Sequence, residues 1–319
     1  MSAHQETRSP VGRGEGKERR MVPPAEPRSY YGRPVVKEPV WTPEIPVYFF
    51  TGGLAGASAG LAFAARLTRR KKLARVATAN AFAGVAVSPL LLISDLGVPK
   101  RFFRMLRIFK VTSPMSVGSW ILTVEGGLLA LSASHEFLGW FPSRLARVGE
   151  ALAAALGMPL ATYTAALIAN TSVPVWHEGR RALPFAFAGG SAMAAGAAAA
   201  LLAPGEAGPA RRLAVIGAAT EAVSIEYSKR ALGMLAEPYS AGAAGKLETA
   251  TMACSGAGAA LLVAAEAGGS RRAGLVGSVL ALAASMLGRW MVFKAGFQSA
   301  AAPQYTVAPQ RERRERRAP

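Results

Sequence analysis

The sequence predicts an all-α, polytopic membrane bundle of about eight transmembrane helices. Of its 319 residues 51% are hydrophobic and only 18% are charged, and the mean hydropathy is positive at +0.25. Soluble domains carry about 25% charged residues, so much of this apolar surface must face lipid. The apolar residues also cluster in runs of about 18 to 24, bounded by Arg, Lys, Pro or Gly, which is the length a helix needs to cross a bilayer.

Taken in order, the runs place spans at Pro46–Arg66, Ala74–Ser94, Met115–Ser134, Ala151–Val173, Pro184–Ala203, Leu213–Leu232, Leu247–Ala267 and Gly274–Phe293. An even number of crossings puts both termini on one side. Small residues recur within spans, as at Gly52, Gly56 and Gly60 in the first and Ala194, Gly196 and Ala197 in the fifth. They let helix backbones approach closely where lipid removes the usual hydrophobic drive. Between the second and third spans, Phe102, Phe103, Leu106 and Phe109 alternate with Lys100, Arg101, Arg104, Arg107 and Lys110. That pattern predicts a short helix lying in the membrane interface.

Outside the spans the chain is polar. Residues 1–43 lack the apolar core of an export signal and are expected to form a poorly ordered basic tail. Residues 44–295 form the bundle, and residues 296–319 a basic C-terminal tail. The net charge of +18 lies in the tails and short connections rather than on amphipathic soluble elements. Membrane lipid is therefore the expected partner, not nucleic acid. Short connections are nearly balanced in Lys and Arg, and counting both tails favours termini inside the cell membrane.

The single cysteine, Cys254, lies in the small-residue run TMACSGAG, which excludes an internal disulfide and a cysteine-ligated cluster. His4 is in the tail, and only His135 and His177 lie near spans, too few for several haems held by paired histidines. No metal, haem or iron–sulfur cluster is expected to be held by this chain.

An ionisable group in hydrocarbon costs roughly 3 kcal/mol on insertion scales, so each one in a span normally has a partner or a role. Glu125, beside Gly126 and Gly127 in the third span, is either a proton-carrying group or an interhelical contact. Glu221 is equally deep in the sixth span, whereas Glu226 can pair with Lys229 or Arg230 one turn away. Arg289, near the expected end of the last span, either snorkels to the interface or partners a buried carboxylate. Asp95 closes the second span, with Lys100 and Arg101 nearby to neutralise it. Glu44 falls in the first helical turn behind Thr42, a candidate cap. His177, next to Trp176, titrates near neutral pH, but a single interfacial histidine is often simply solvated.

Four blocks then stand out: YYGRPVVKEPVWTPEIPVYFFTGGLAG, DLGVPKRFFRMLRIFKVTSPMSVGSWIL, VPVWHEGRRALPFAFAGGSA and RWMVFKAGFQSAAAPQYTVAPQRER. In this order, from about Tyr30 to Arg311, they resemble the NrfD family, the polysulfide-reductase-type membrane subunits. The resemblance implies a bundle of about eight or more helices that holds no redox centre and joins a ferredoxin-like 4Fe-4S subunit, often with a molybdopterin catalytic subunit. It also implies a menaquinone or ubiquinone site near the face that meets the iron–sulfur partner.

The matching blocks fall on the side of the termini. Docking is therefore expected at Glu44, Lys100, Arg101, Arg104, Trp176 and Arg180. The quinone head is expected between Asp95, His177 and the start of the first span, with Glu125 and Glu221 as further binding or proton-transfer groups. Catalysis at the primary substrate belongs to another chain of a quinone-linked oxidoreductase. Two other readings stay open: a proton-coupled transporter, for which inverted repeats are not evident, and a purely structural membrane anchor.

Overall fold

Each hydrophobic run becomes a helix that turns back on its predecessor. The structure, a computed structural model, describes residues 33–96, 98 and 101–316, Arg101 through its backbone alone. The expected disorder of residues 1–32 and the docking roles of Lys100 and the Arg101 side chain lie outside the described residues. The helices are α1 (Glu44–Leu67), α2 (Lys71–Asp95), α3 (Arg101–Met105), α4 (Pro114–Leu138), α5 (Ser143–Ala169), α6 (Pro174–Glu178), α7 (Leu183–Leu202), α8 (Gly208–Leu232), α9 (Glu237–Ser240), α10 (Gly242–Gly268), α11 (Arg271–Ala301) and α12 (Gln304–Glu315). No strand occurs among the described residues.

Eight of these helices are long, and seven are apolar enough by length and composition to cross a membrane. The remaining long helix, α8, has 25 residues but carries Arg211, Arg212, Glu221, Glu226, Lys229 and Arg230. It packs lengthwise on α7. The chain is thus a multi-pass, all-α membrane protein.

The most extensive pairings are the sequential hairpins α10–α11, α7–α8 and α1–α2, followed by the non-sequential pair α1–α5 and then α4–α5, and α1, α7 and α11 contact one another to form the centre. Close crossings fall at glycine: a Cβ on Gly56 would run into the Gly157 carbonyl of α5, so α1 and α5 approach backbone to backbone. The main core joins Tyr48 and Phe49 of α1, Leu160 and Ile168 of α5, Phe187 of α7 and Phe293 of α11.

Four expectations are corrected. Thr42 does not cap α1, whose start has no side-chain cap. Its hydroxyl and N–H instead donate to Asp95 Oδ1 at 2.7 and 3.0 Å, so the threonine ties the end of α2 rather than the start of α1. The interfacial helix is only the five-residue α3. Beyond it Ser116 Oγ takes the Lys110 N–H at 3.0 Å and donates to the Ile108 carbonyl at 3.2 Å, diverting the backbone groups that would continue a helix. The last span runs to Ala301 rather than Phe293, because Lys294 interrupts the apolar run without breaking the helix. Arg289 is consequently in mid-span and buried to 1% exposure, far from any snorkelling depth.

Within the basic C-terminal tail, Gln304–Glu315 form α12. Arg313 pairs with Glu178 at 3.1 Å, and Tyr305 is buried. Burial raises the Tyr305 phenol above its ordinary pKa, and the Glu237 carboxylate adds to the rise, so the phenol is held neutral against the bundle.

Candidate functional site

Two helix starts and two helix ends meet at one end of the bundle: α1 and α4 begin there, and α2 and α5 finish there. Between them, closed from above by α3, lies a cavity of about 60 Å³. Trp41, Tyr48, Phe49, Phe102 and Tyr163 supply aromatic walls, and Asp95 and Ser119 supply polar atoms. The Tyr48 side chain is fully buried, and its hydroxyl has no hydrogen-bond partner. Buried hydroxyls almost always find a partner, so this residue of the cavity wall keeps an unused hydrogen-bonding group.

The walls are fixed by neighbours. Trp41 stacks on Trp176 with centroids 5.4 Å apart, and Trp176 Nε1 donates to the Val292 carbonyl at 2.8 Å. The Trp176 ring fills the space that a Cβ on Gly296 would take. Tyr163 is seated against Gly118, where any side chain would collide with the phenol ring. Asp95 is held by both donors of Thr42, which ties the end of α2 to the residue beside Trp41.

Below the cavity Glu125 is completely buried, and neither carboxylate oxygen has a partner. Gly118, Ser119, Leu122, Glu125, Leu129 and Ser132 form the buried stripe of α4. Glu125 shares this broad buried stripe with Ser119 but stands about 120° around the axis from it and six residues deeper, or about 9 Å at 1.5 Å per residue.

A separate polar cluster occupies α7, α8, α10 and α11. Arg289 donates to the Phe187 carbonyl at 2.7 Å and to Ser191 Oγ at 3.2 Å, with its guanidinium 4.2 Å over the Phe187 ring. Glu221 attracts Arg289 electrostatically but shares no hydrogen bond with it. Gly190 makes the room, since a Cβ there would lie 2.6 Å from Glu221 Oε1 and 2.8 Å from Arg289 Nη2. Glu221, Glu226 and Glu248 line a cavity of about 70 Å³. There Glu248 pairs with Lys229 and accepts from Ser240 Oγ at 3.1 Å, while Glu226 pairs with Arg230 at 2.8 Å.

The expected quinone-site residues therefore divide. Asp95 lines the aromatic cavity, Glu125 lies beneath it, and Glu221 belongs to the second cluster. His177 is exposed, with Nδ1 3.2 Å from the Ala169 carbonyl, and does not line the aromatic cavity. Among the docking residues, Arg104 and Arg180 are exposed and Glu44 is half-buried. Trp176 must be reassigned, because an indole with 0% exposure presents nothing to a docking subunit. Sequence reasoning missed Trp41, Tyr48 and Tyr163. Their signals were a tryptophan just ahead of the first span, a tyrosine hydroxyl inside an apolar run, and Gly118 as an opening for a ring.

No group of three or more His, Cys, Asp or Glu side chains able to hold a metal occurs among the described residues. No curated protein matches the chain. Residues 28–303 match the family described as NrfD_2, polysulfide reductase. That match covers every long helix and both polar clusters, and it agrees with the seven apolar spans: the chain belongs to the NrfD_2 polysulfide reductase family.

Proposed function

We propose that this protein is the quinone-interacting membrane subunit of a redox complex, exchanging electrons between a partner iron–sulfur subunit and the quinone pool. Membership of the family supports the coarse reading. The observation that carries the finer one is the aromatic cavity at the start of α1, lined in part by Tyr48, whose buried hydroxyl has no hydrogen-bond partner. A flat, mostly apolar ring with carbonyl oxygens fits that chemistry, because apolar walls with a few placed polar groups are what ligand pockets offer.

Trp41, Phe49 and Tyr163 would flank the ring, and Tyr48 would donate to a carbonyl oxygen. Asp95, at the cavity wall, would take up or deliver a proton, and Glu125 would hold a proton deeper in the bundle. A bound menaquinone or ubiquinone supplies the two-electron, two-proton chemistry and carries it into the bilayer. The partner subunit, and any molybdopterin subunit beyond it, would dock over α3, Arg104 and Arg180, next to the cavity. The proposed setting is the cell membrane with the termini in the cytoplasm.

Steady-state quinol or quinone turnover by the assembled complex tests this reading. Tyr48→Phe removes one hydrogen bond worth about 0.5–1.5 kcal/mol, so KM for a short-chain quinone should rise about 3- to 10-fold with kcat nearly intact. Asp95→Asn keeps an acceptor for Thr42 but removes the titrating group, so kcat should fall while the complex still assembles. Unchanged kinetics in both variants would remove the aromatic cavity as the quinone site.

A further inference from the structure

The bundle end opposite the aromatic cavity carries a different site. A cavity of about 620 Å³ opens between the α1–α2 turn and the α4–α5 connection. Arg66 lines it and Ile45 of the same helix lines the aromatic cavity. At 1.5 Å per residue, their 21-residue separation is about 31 Å, the thickness of a bilayer's hydrocarbon core. This cavity therefore lies at the other membrane face.

Its floor is an ion-paired cluster in which Arg66 meets both Glu136 and the buried Glu150. Around that floor stand Arg69, Lys71 and Arg147, none of which forms an ion pair among the described residues. Four cations against two carboxylates leave the cavity with a charge of +2.

Arg69 adds an independent observation. Its φ of 57° is the one positive φ at a non-glycine residue among the described residues. The turn closes with Arg70 N–H on the Ala65 carbonyl at 2.8 Å, which leaves Arg69 at the left-handed position after α1 where glycine is the usual choice. An arginine held there costs free energy that glycine would not, and Arg69 lines the cavity. Below it Phe63 and Leu67, one helical turn apart on α1, also line the cavity, and Leu67 is 69% exposed. A basic mouth continuing into an apolar strip suits a ligand with both a phosphate and an acyl chain.

We propose that this cavity is a specific binding site for one anionic phospholipid, with its phosphate on Arg69, Lys71 and Arg147 and an acyl chain along Phe63 and Leu67. The Arg66 ion pairs hold the site open, and Arg69 is retained in an unfavourable conformation because its charge is used.

Native mass spectrometry of the full-length chain, delipidated in detergent and titrated with phosphatidylglycerol or phosphatidylcholine, tests this. One phosphatidylglycerol should bind per chain in preference to phosphatidylcholine. Each basic side chain near an anionic lipid contributes about 1 kcal/mol, so removing one should weaken binding about fivefold and removing two about 30-fold. The informative variant is Arg69→Gly with Arg147→Gln. Glycine suits the left-handed turn, so melting temperature should be unchanged or slightly raised while phosphatidylglycerol affinity falls. Equal affinity for the two lipids, or full phosphatidylglycerol binding by the double variant, overturns the proposal. Inorganic phosphate that binds alone and displaces the lipid would also overturn it, by assigning the site to a free anion.

Discussion

At the scale of single residues, the most informative side chains are those left without partners. Glu125 is buried with both oxygens unbonded, an arrangement that costs about 1–3 kcal/mol relative to an apolar side chain of the same size. Stability does not account for a carboxyl group there, whereas a working site can, as stability is often given up at such sites. Glu125→Leu should therefore raise the melting temperature in detergent by a few degrees while cutting quinone-linked turnover by about tenfold or more. A variant that is both more stable and fully active would reduce Glu125 to a packing defect. Tyr48 follows the same logic on a smaller scale. His177 shows the reverse: it is exposed and does not line the aromatic cavity.

Among elements, α7, α8 and α11 are joined by more than apolar contact. Arg289 of α11 bonds to α7 and attracts Glu221 of α8, so one guanidinium ties three helices at mid-membrane. Removing one partner of such a buried pair leaves an uncompensated charge and typically costs about 3–5 kcal/mol, whereas replacing both can be neutral. Arg289→Met should accordingly lower thermal stability strongly, and adding Glu221→Gln should restore most of it. Failure of the second change to rescue would mean that the Arg289 bonds to Phe187 and Ser191, not the charge pair, hold α11 in place. Together with the ion pairs of Arg211 and Arg212 with Glu266, Lys229 with Glu248 and Arg230 with Glu226, the Arg289–Glu221 pair gives every charge of α8 an opposite partner.

Over the whole molecule, the span pattern was legible because lipid imposes it: about 20 apolar residues per crossing are required whatever the packing. All eight predicted runs coincide with long helices, and the divergences fall where local chemistry competes with hydropathy. Lys294 looked like a boundary but is carried inside α11, and Ser116 ended α3 early through two hydrogen bonds no periodicity reveals. The sites were only half legible. Asp95, Glu125 and Glu221 stood out because charge in an apolar run is conspicuous. Tyr48 and Tyr163 did not, because aromatic residues in spans read as ordinary packing, and Trp41 did not, because it lies ahead of the first span in what reads as tail. Their convergence depends on helices that are distant in sequence, with Thr42 meeting Asp95 across 53 positions. The 620 Å³ basic cavity was hidden likewise, since its Lys and Arg read as span-flanking charge.

The central claim is that the quinone headgroup binds in the aromatic cavity between α1, α2, α4 and α5. A photoactivatable quinone analogue, crosslinked to the assembled complex in membranes and mapped by peptide mass spectrometry, addresses this most directly. Labelling should concentrate on residues 41–49, 92–105, 115–119 and 163–167, and excess native quinone should suppress it. Labelling confined to residues 221–255, around the Glu221–Glu248 cavity, would contradict the account and move the quinone site to the opposite half of the bundle.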